Sequence, residues 1–140
     1  MLKLSSRSDI AKASPEKVYN YLTDFRNFMH LVPADKIDDI EVTSESMRFS
    51  LPGLGVVGLK IAEKEPYSKM VINAMEDSAA DFTFRVHINP EGSDTSKLSL
   101  DLDANLNMFV EMMAKNPLHQ FLNLMIEKVE TIDFEAPPSH

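Results

Sequence analysis

The sequence predicts an α+β domain built on an antiparallel sheet, and three observations carry that reading. From about residue 40 onward, six stretches alternate apolar and polar residues with a period of two. A C-terminal stretch repeats apolar residues every three or four positions, the mark of one buried helix face. Between a first strand and the other six lies a segment with helix-start signals at Ser14-Pro15 and Asp24.

The elements follow in order. "KLSSRSDIAKAS" alternates Leu4, Ser6, Ser8 and Ile10 against Lys3, Ser5, Arg7 and Asp9, which predicts a first strand. Ser14 is placed to cap a helix whose first position is Pro15, where a missing N–H costs nothing. Glu16 adds negative charge to the first turn, and Val18, Leu22 and Phe25 form the apolar stripe. Asp24 caps a second short helix, "FRNFMHLV", which Pro33 stops.

Six strands follow: "IEVTSE", "SMRFSL", "VVGLKIAEKE", "KMVINAM", "DFTFRVHI" and "SKLSLDLDANL". Turn-rich pieces such as Pro66-Tyr67-Ser68 and "NPEGSD" separate them. In the fifth of these, Phe82, Phe84, Val86 and Ile88 face one way and Thr83, Arg85 and His87 the other. In the sixth, Leu98, Leu100, Leu102, Ala104 and Leu106 oppose Ser99, Asp101, Asp103 and Asn105. One face of the meander is apolar and the other wet. The last third reads as a helix through Leu118, Phe121, Leu122, Met125, Val129 and Ile132. Phe109, Met112 and Met113 mark an earlier helical segment, and Pro117 predicts a kink or break between the two.

One stretch invites a different reading. "LPGLGVVGLK" holds Gly53, Gly55 and Gly58 at the G-x-G-x-x-G spacing of a dinucleotide site. That fingerprint needs a helix after the glycines, so that its N-terminus meets a pyrophosphate. Here Gly58 precedes "LKIAEKE", which alternates as a strand, so the glycines are turn or bulge chemistry.

Composition bounds the function. The 140 residues fit one domain, with an ordinary 44% apolar fraction. The absence of cysteine removes thiol catalysis and Cys-ligated zinc, and fits a cytoplasmic protein. A net charge of −8 without a Lys/Arg block argues against nucleic acid as a partner. No apolar run spans a bilayer, so stable membrane insertion is not expected; a protein partner is left open.

The segment "SDIAKASPEKVYNYLTDFRNFMHLVP" resembles the N-terminal signature of the START-like superfamily, also called SRPBCC or helix-grip, to which the birch-pollen allergen belongs. The matching positions are Ile10, Ser14, Pro15, Glu16, Val18, Leu22, Asp24 and Pro33. A Trp or other aromatic commonly stands just before that Pro, where this chain has "MHLVP" and no Trp anywhere. The resemblance implies a curved seven-stranded antiparallel sheet wrapped around a long C-terminal helix, with two short helices between strands 1 and 2. It also implies an apolar cavity between sheet and helix. Residues 1–134 would form the START-like domain and 135–140 a disordered tail. Members include lipid-transfer domains, hormone receptors, and polyketide cyclases and dehydrases.

On that fold, the inward parity places Phe49, Leu59, Ile61, Met70, Ile72, Phe82, Phe84, Leu100 and Leu102 on the sheet side of the cavity. Phe109, Met112, Met113, Phe121 and Met125 would close it from the helix. Nine methionines suit either an adaptable pocket or an irregular core, and the sequence leaves both open. No catalytic set is identified, no metal-ligand spacing exists and no cofactor is called for. His87, Asp101 and Asp103 share one parity, but it is the wet one, and a solvated outer face accounts for all three. Tyr19, Tyr21, Tyr67, Arg26 and His30 are the polar groups expected near a cavity mouth.

The expected function is binding of a hydrophobic small molecule, a lipid, isoprenoid or polyketide-like compound. The alternatives are a cyclase- or dehydrase-type enzyme, which needs ionisable groups inside the cavity, and an acidic protein-interaction module without ligand.

Overall fold

The computed structural model describes residues 2–52, 55–132 and 134. The predicted tail at 135–140 lies outside the described residues. The elements are β1 (Leu2–Ser5), β2 (Asp9–Ala11), α1 (Pro15–Leu22), α2 (Phe25–Phe28), β3 (Asp38–Val42), β4 (Ser46–Leu51), β5 (Gly55–Glu65), β6 (Lys69–Ala74), β7 (Asp81–Pro90), β8 (Ser96–Asn105) and α3 (Met108–Lys128). The strands form one antiparallel sheet in the order β1-β8-β7-β6-β5-β4-β3, with β2 also on β8. This is the α+β helix-grip arrangement: a curved sheet, two short helices after the N-terminal strand, and a long C-terminal helix.

The helix starts form as their sequences dictate. Ser14 Oγ accepts the Lys17 N–H at 3.4 Å, and Asp24 Oδ1 accepts the Arg26 N–H at 3.0 Å. A 3₁₀ turn, Met29–Leu31, extends α2 before the chain passes through buried Pro33. Val18, Leu22, Phe25 and Phe28 are each at most 1% exposed against the sheet.

The N-terminal strand departs from its predicted alternation. Ser5 pairs with Asp101 and Asp9 with Leu98, so residues 6–8 oppose only residues 99–100. That extra residue is a bulge, pinned where the Ser6 N–H donates to the Leu100 carbonyl at 2.8 Å. Ser6 Oγ in turn accepts the Leu100 N–H at 2.9 Å. A one-residue insertion reverses the faces. Leu2 and Leu4 are buried before it, Asp9 and Ala11 after it, and Ile10 turns outward.

The glycine stretch is turn and packing chemistry. Gly55 has φ +109°, and a Cβ there would sit 3.3 Å from Ala79 Cβ. A Cβ on Gly58 would meet Met75 Cβ at 3.0 Å, so Gly58 admits the neighbouring chain. Gly53 lies outside the described residues.

Pro117 does not break the last helix. α3 runs unbroken from Met108 to Lys128 with Pro117 inside it, capped by Asn107, whose Oδ1 accepts the Val110 N–H at 2.9 Å. Among the described residues, no helix is long and apolar enough to cross a membrane.

Candidate functional site

One end of the sheet fails to close against α3 and leaves a cavity of about 80 Å³. β4 and β5 supply Phe49, Leu51, Val57 and Leu59, with Phe49 opposite Val57 in the ladder. β7 and β8 supply the opposed pairs Phe82–Ala104 and Phe84–Leu102. Phe28 and Val32 form the floor, and Leu118, Phe121, Leu122 and Met125 of α3 form the roof.

Aromatic contacts fix two of the walls. The Phe49 and Phe121 rings stack at 15° with centroids 6.5 Å apart. Phe28 meets Phe84 edge-on at 6.2 Å. Every lining side chain is apolar. The deep walls, such as Phe49, Leu59, Leu102 and Met125, are buried, whereas Leu51, Ala80, Phe82, Leu106 and Leu118 are half-exposed. The half-exposed set marks the side on which the cavity meets solvent.

Seven of the fourteen residues expected from the sequence therefore stand around this space: Phe49, Leu59, Phe82, Phe84, Leu102, Phe121 and Met125. Met70, Ile72 and Leu100 are at most 1% exposed in the continuous core, and Ile61 is packed against that core; none of the four lines the cavity. They sit in sheet rows towards the other end, where Met70 pairs with Val86 and Val86 with Leu100. Phe109, Met112 and Met113 do not close the cavity: they are 72%, 77% and 65% exposed. The reason is helical phase. Leu118, Phe121, Leu122 and Met125 form one stripe, and the three upstream residues lie on roughly the opposite side of a helix with 3.6 residues per turn.

The lining also includes residues that mid-strand reasoning passed over: Leu51, Val57, Ala104 and Leu106 from strand ends, and Phe28 and Val32 from the α2 region. The strand-end residues share parity with Phe49, Leu59 and Leu102, so the alternation already held the signal.

The polar groups lie elsewhere. On the outer sheet face, Arg85 Nη1 donates to Asp101 Oδ1 at 2.6 Å and Nη2 lies 3.1 Å from Asp103 Oδ2. His87 Nε2 is 2.5 Å from Asp101 Oδ2. Burial raises the Asp101 carboxyl, but the hydrogen bonds with Arg85 and His87 outweigh it and hold the group below its ordinary value. The wet-face parity thus becomes an ion-pair network on the face opposite the cavity.

The groups expected at the mouth are also engaged. Tyr21 Oη is 2.7 Å from His30 Nδ1, Arg26 pairs with Asp24, and the Tyr19 and Tyr67 rings meet edge-on at 5.5 Å. Burial, then the neighbouring Tyr67, raise the Tyr19 phenol above its ordinary value. None of the five lines the cavity. Among the described residues, no three His, Cys, Asp or Glu side chains are grouped to hold a metal ion.

No protein-family model and no curated protein matches the sequence. Solved structures do match the fold. The protein XoxI from Bacillus cereus superposes with a TM-score of 0.71 at 13% identity, over 94% of each chain. A START superfamily protein from Mycobacterium smegmatis gives 0.64 at 17% identity, over 94% of this chain and 99% of that one. A truncated norcoclaurine synthase from Thalictrum flavum gives 0.62 at 11%, over 94% and 96%. Each of these superpositions spans 94% of this chain, and the chain has the START-like, helix-grip fold.

Proposed function

We propose that this domain binds the apolar end of a hydrophobic small molecule, a lipid, isoprenoid or polyketide-like compound, between its sheet and α3. One observation carries the reading: a cavity whose every lining side chain is apolar and which meets solvent on one side. Transfer of apolar surface out of water supplies the affinity, at roughly 25 cal/mol per Å². Met125 and the Phe49–Phe121 stack give the wall its shape.

The volume narrows the ligand. About 80 Å³ is well below the ~300 Å³ at which drug-sized pockets begin. The ligand seats a slender apolar end against Phe84 and Leu102, and its remainder leaves past Leu106 and Leu118, the half-exposed rim. Norcoclaurine synthase, by its name, is an enzyme on this fold. Enzymatic chemistry resides in the site rather than the fold, and this lining offers no group to move a proton.

Native mass spectrometry of protein purified gently from its own host tests the reading. The expected result is a discrete extra mass that extracts into organic solvent. In parallel, the wild type brightens N-phenyl-1-naphthylamine, and Ala104→Phe, which fills the cavity, abolishes that signal while the fold is retained by circular dichroism. An unliganded mass together with equal probe signals for the two proteins sinks the proposal.

A further inference from the structure

The first half of α3 carries its apolar residues on the wrong side for the cavity. Met108, Phe109, Met112 and Met113 are 80%, 72%, 77% and 65% exposed. Towards the sheet, the same turns present half-buried Val110, Glu111 and Ala114. Past Pro117 the pattern reverses: Leu122, Met125 and Ile126 are buried, and Gln120 and Glu127 face solvent. One helix therefore holds two apolar stripes on nearly opposite faces, and only the second has a sheet to cover it.

Scattered exposed apolar residues need no explanation, but four contiguous large ones do. Side chains of this size present on the order of 500 Å² together at these exposures, near the upper end of what a monomer leaves uncovered. We propose that this face is a homodimer interface, in which α3 of one copy packs antiparallel on α3 of a second.

Three features favour a second copy as the occupant. Area is the first. Two such faces remove on the order of 1,000 Å² from water, the size at which specific interfaces begin, and their flanks add to it. The second is pattern: positions i, i+1, i+4 and i+5 form the two rows that interdigitate in helix-on-helix packing, and they map onto themselves about a two-fold axis level with the midpoint between Val110 and Glu111, which sets Phe109 of one copy opposite Met112 of the other. Charge is the third. The chain carries −8, which opposes self-association elsewhere on its surface. Residues 107–120 hold one acid, Glu111, and one lysine, Lys115, so this face is locally neutral. A membrane-surface helix would instead carry several Lys or Arg on its polar side.

Sedimentation velocity of the full chain from about 1 to 100 µM tests the interface. The wild type is expected to reach a dimer in that range, and Phe109→Glu with Met112→Glu to weaken it at least tenfold without lowering the melting temperature of the monomer. A second test exploits the lack of cysteine. A mixture of Phe109→Cys and Met112→Cys proteins should cross-link as a mixed disulfide dimer, and Phe109→Cys mixed with Val56→Cys, on exposed strand β5, should not. A wild-type monomer throughout the range overturns the proposal, as does a dimer indifferent to the glutamates. Monomer that floats with phosphatidylcholine vesicles would overturn it in favour of a lipid surface.

Discussion

From Leu118 onward, α3 packs Leu122, Met125 and Ile126, and its C-cap Val129, at no more than 3% exposure. Before Pro117, the same helix shows water Met108, Phe109, Met112 and Met113 at 65% or more. Apolar content hardly separates the halves, since residues 108–116 and 118–128 each hold six apolar residues. Position does. Each fully buried apolar side chain in the second half contributes about 1.5–3 kcal/mol, and its exposed counterpart contributes almost nothing to the monomer. Periodicity reports that residues share a face, and it does not report which face a sheet will cover.

The largest expected effect comes from substituting the same residue type on both sides of Pro117. Met125→Ala opens a hole in the cavity roof and should cost about 2–4 kcal/mol in urea unfolding. Met112→Ala, read in dilute protein, should change stability by no more than about 0.5 kcal/mol. Similar losses at the two sites would abolish the contrast.

A smaller effect should come from the junction. Pro117 cannot donate to the Met113 carbonyl, so the two halves lack one helical hydrogen bond where their phases part. Pro117→Ala restores that donor at a solvent-exposed site and should stabilise the protein by about 1–2 kcal/mol. A loss of stability would show instead that the proline sets a bend on which the packing of the second half depends.

The smallest effect lies where the buried half ends. The Glu130 carboxyl is raised, first by its hydrogen bond with Asp9 and then by that group's charge. A raised carboxyl favours folding below the unfolded-state value of about 4.3 and loses that favour as pH rises through the higher folded value. Glu130→Gln, which keeps a donor toward Asp9 without a charge, should therefore raise the melting temperature slightly at pH 7. The gain should vanish below about pH 4. A gain that persists in acid would place the effect in packing rather than charge.

The Asp9–Glu130 contact also shows where the sequence stops being legible. By alternation Asp9 belongs with Arg7 on the wet side, opposite Ile10. A single extra residue between β1 and β2 exchanges them, so that Asp9 is 9% exposed and Ile10 36%. Nothing periodic marks that insertion, because Ser6 and Ser8 suit either face. The strands from β4 to β8, by contrast, were legible from their alternation, as were the Ser14 and Asp24 caps and the outward parity of His87, Asp101 and Asp103. Parity also found the wall of the cavity without finding its ends. Met70 and Leu100 share their faces with Phe84 and Leu102, yet they lie in solid core.

What this sequence determines by itself is local: which stretches are strand or helix, where helices start, and which residues of one strand share a face. Those properties depend on residue spacing and on backbone groups a few positions apart, so they can be read along the chain. Only the tertiary structure decided that Phe109, Met112 and Met113 face water, that Ile10 turns outward, and that the sheet parts from α3 beside Phe84 and Leu102 rather than beside Met70. Those outcomes depend on which face of α3 the sheet covers and on a one-residue bulge against a partner strand nearly a hundred residues away. Such features shift every side chain beyond them and leave no repeating mark in the sequence that makes them.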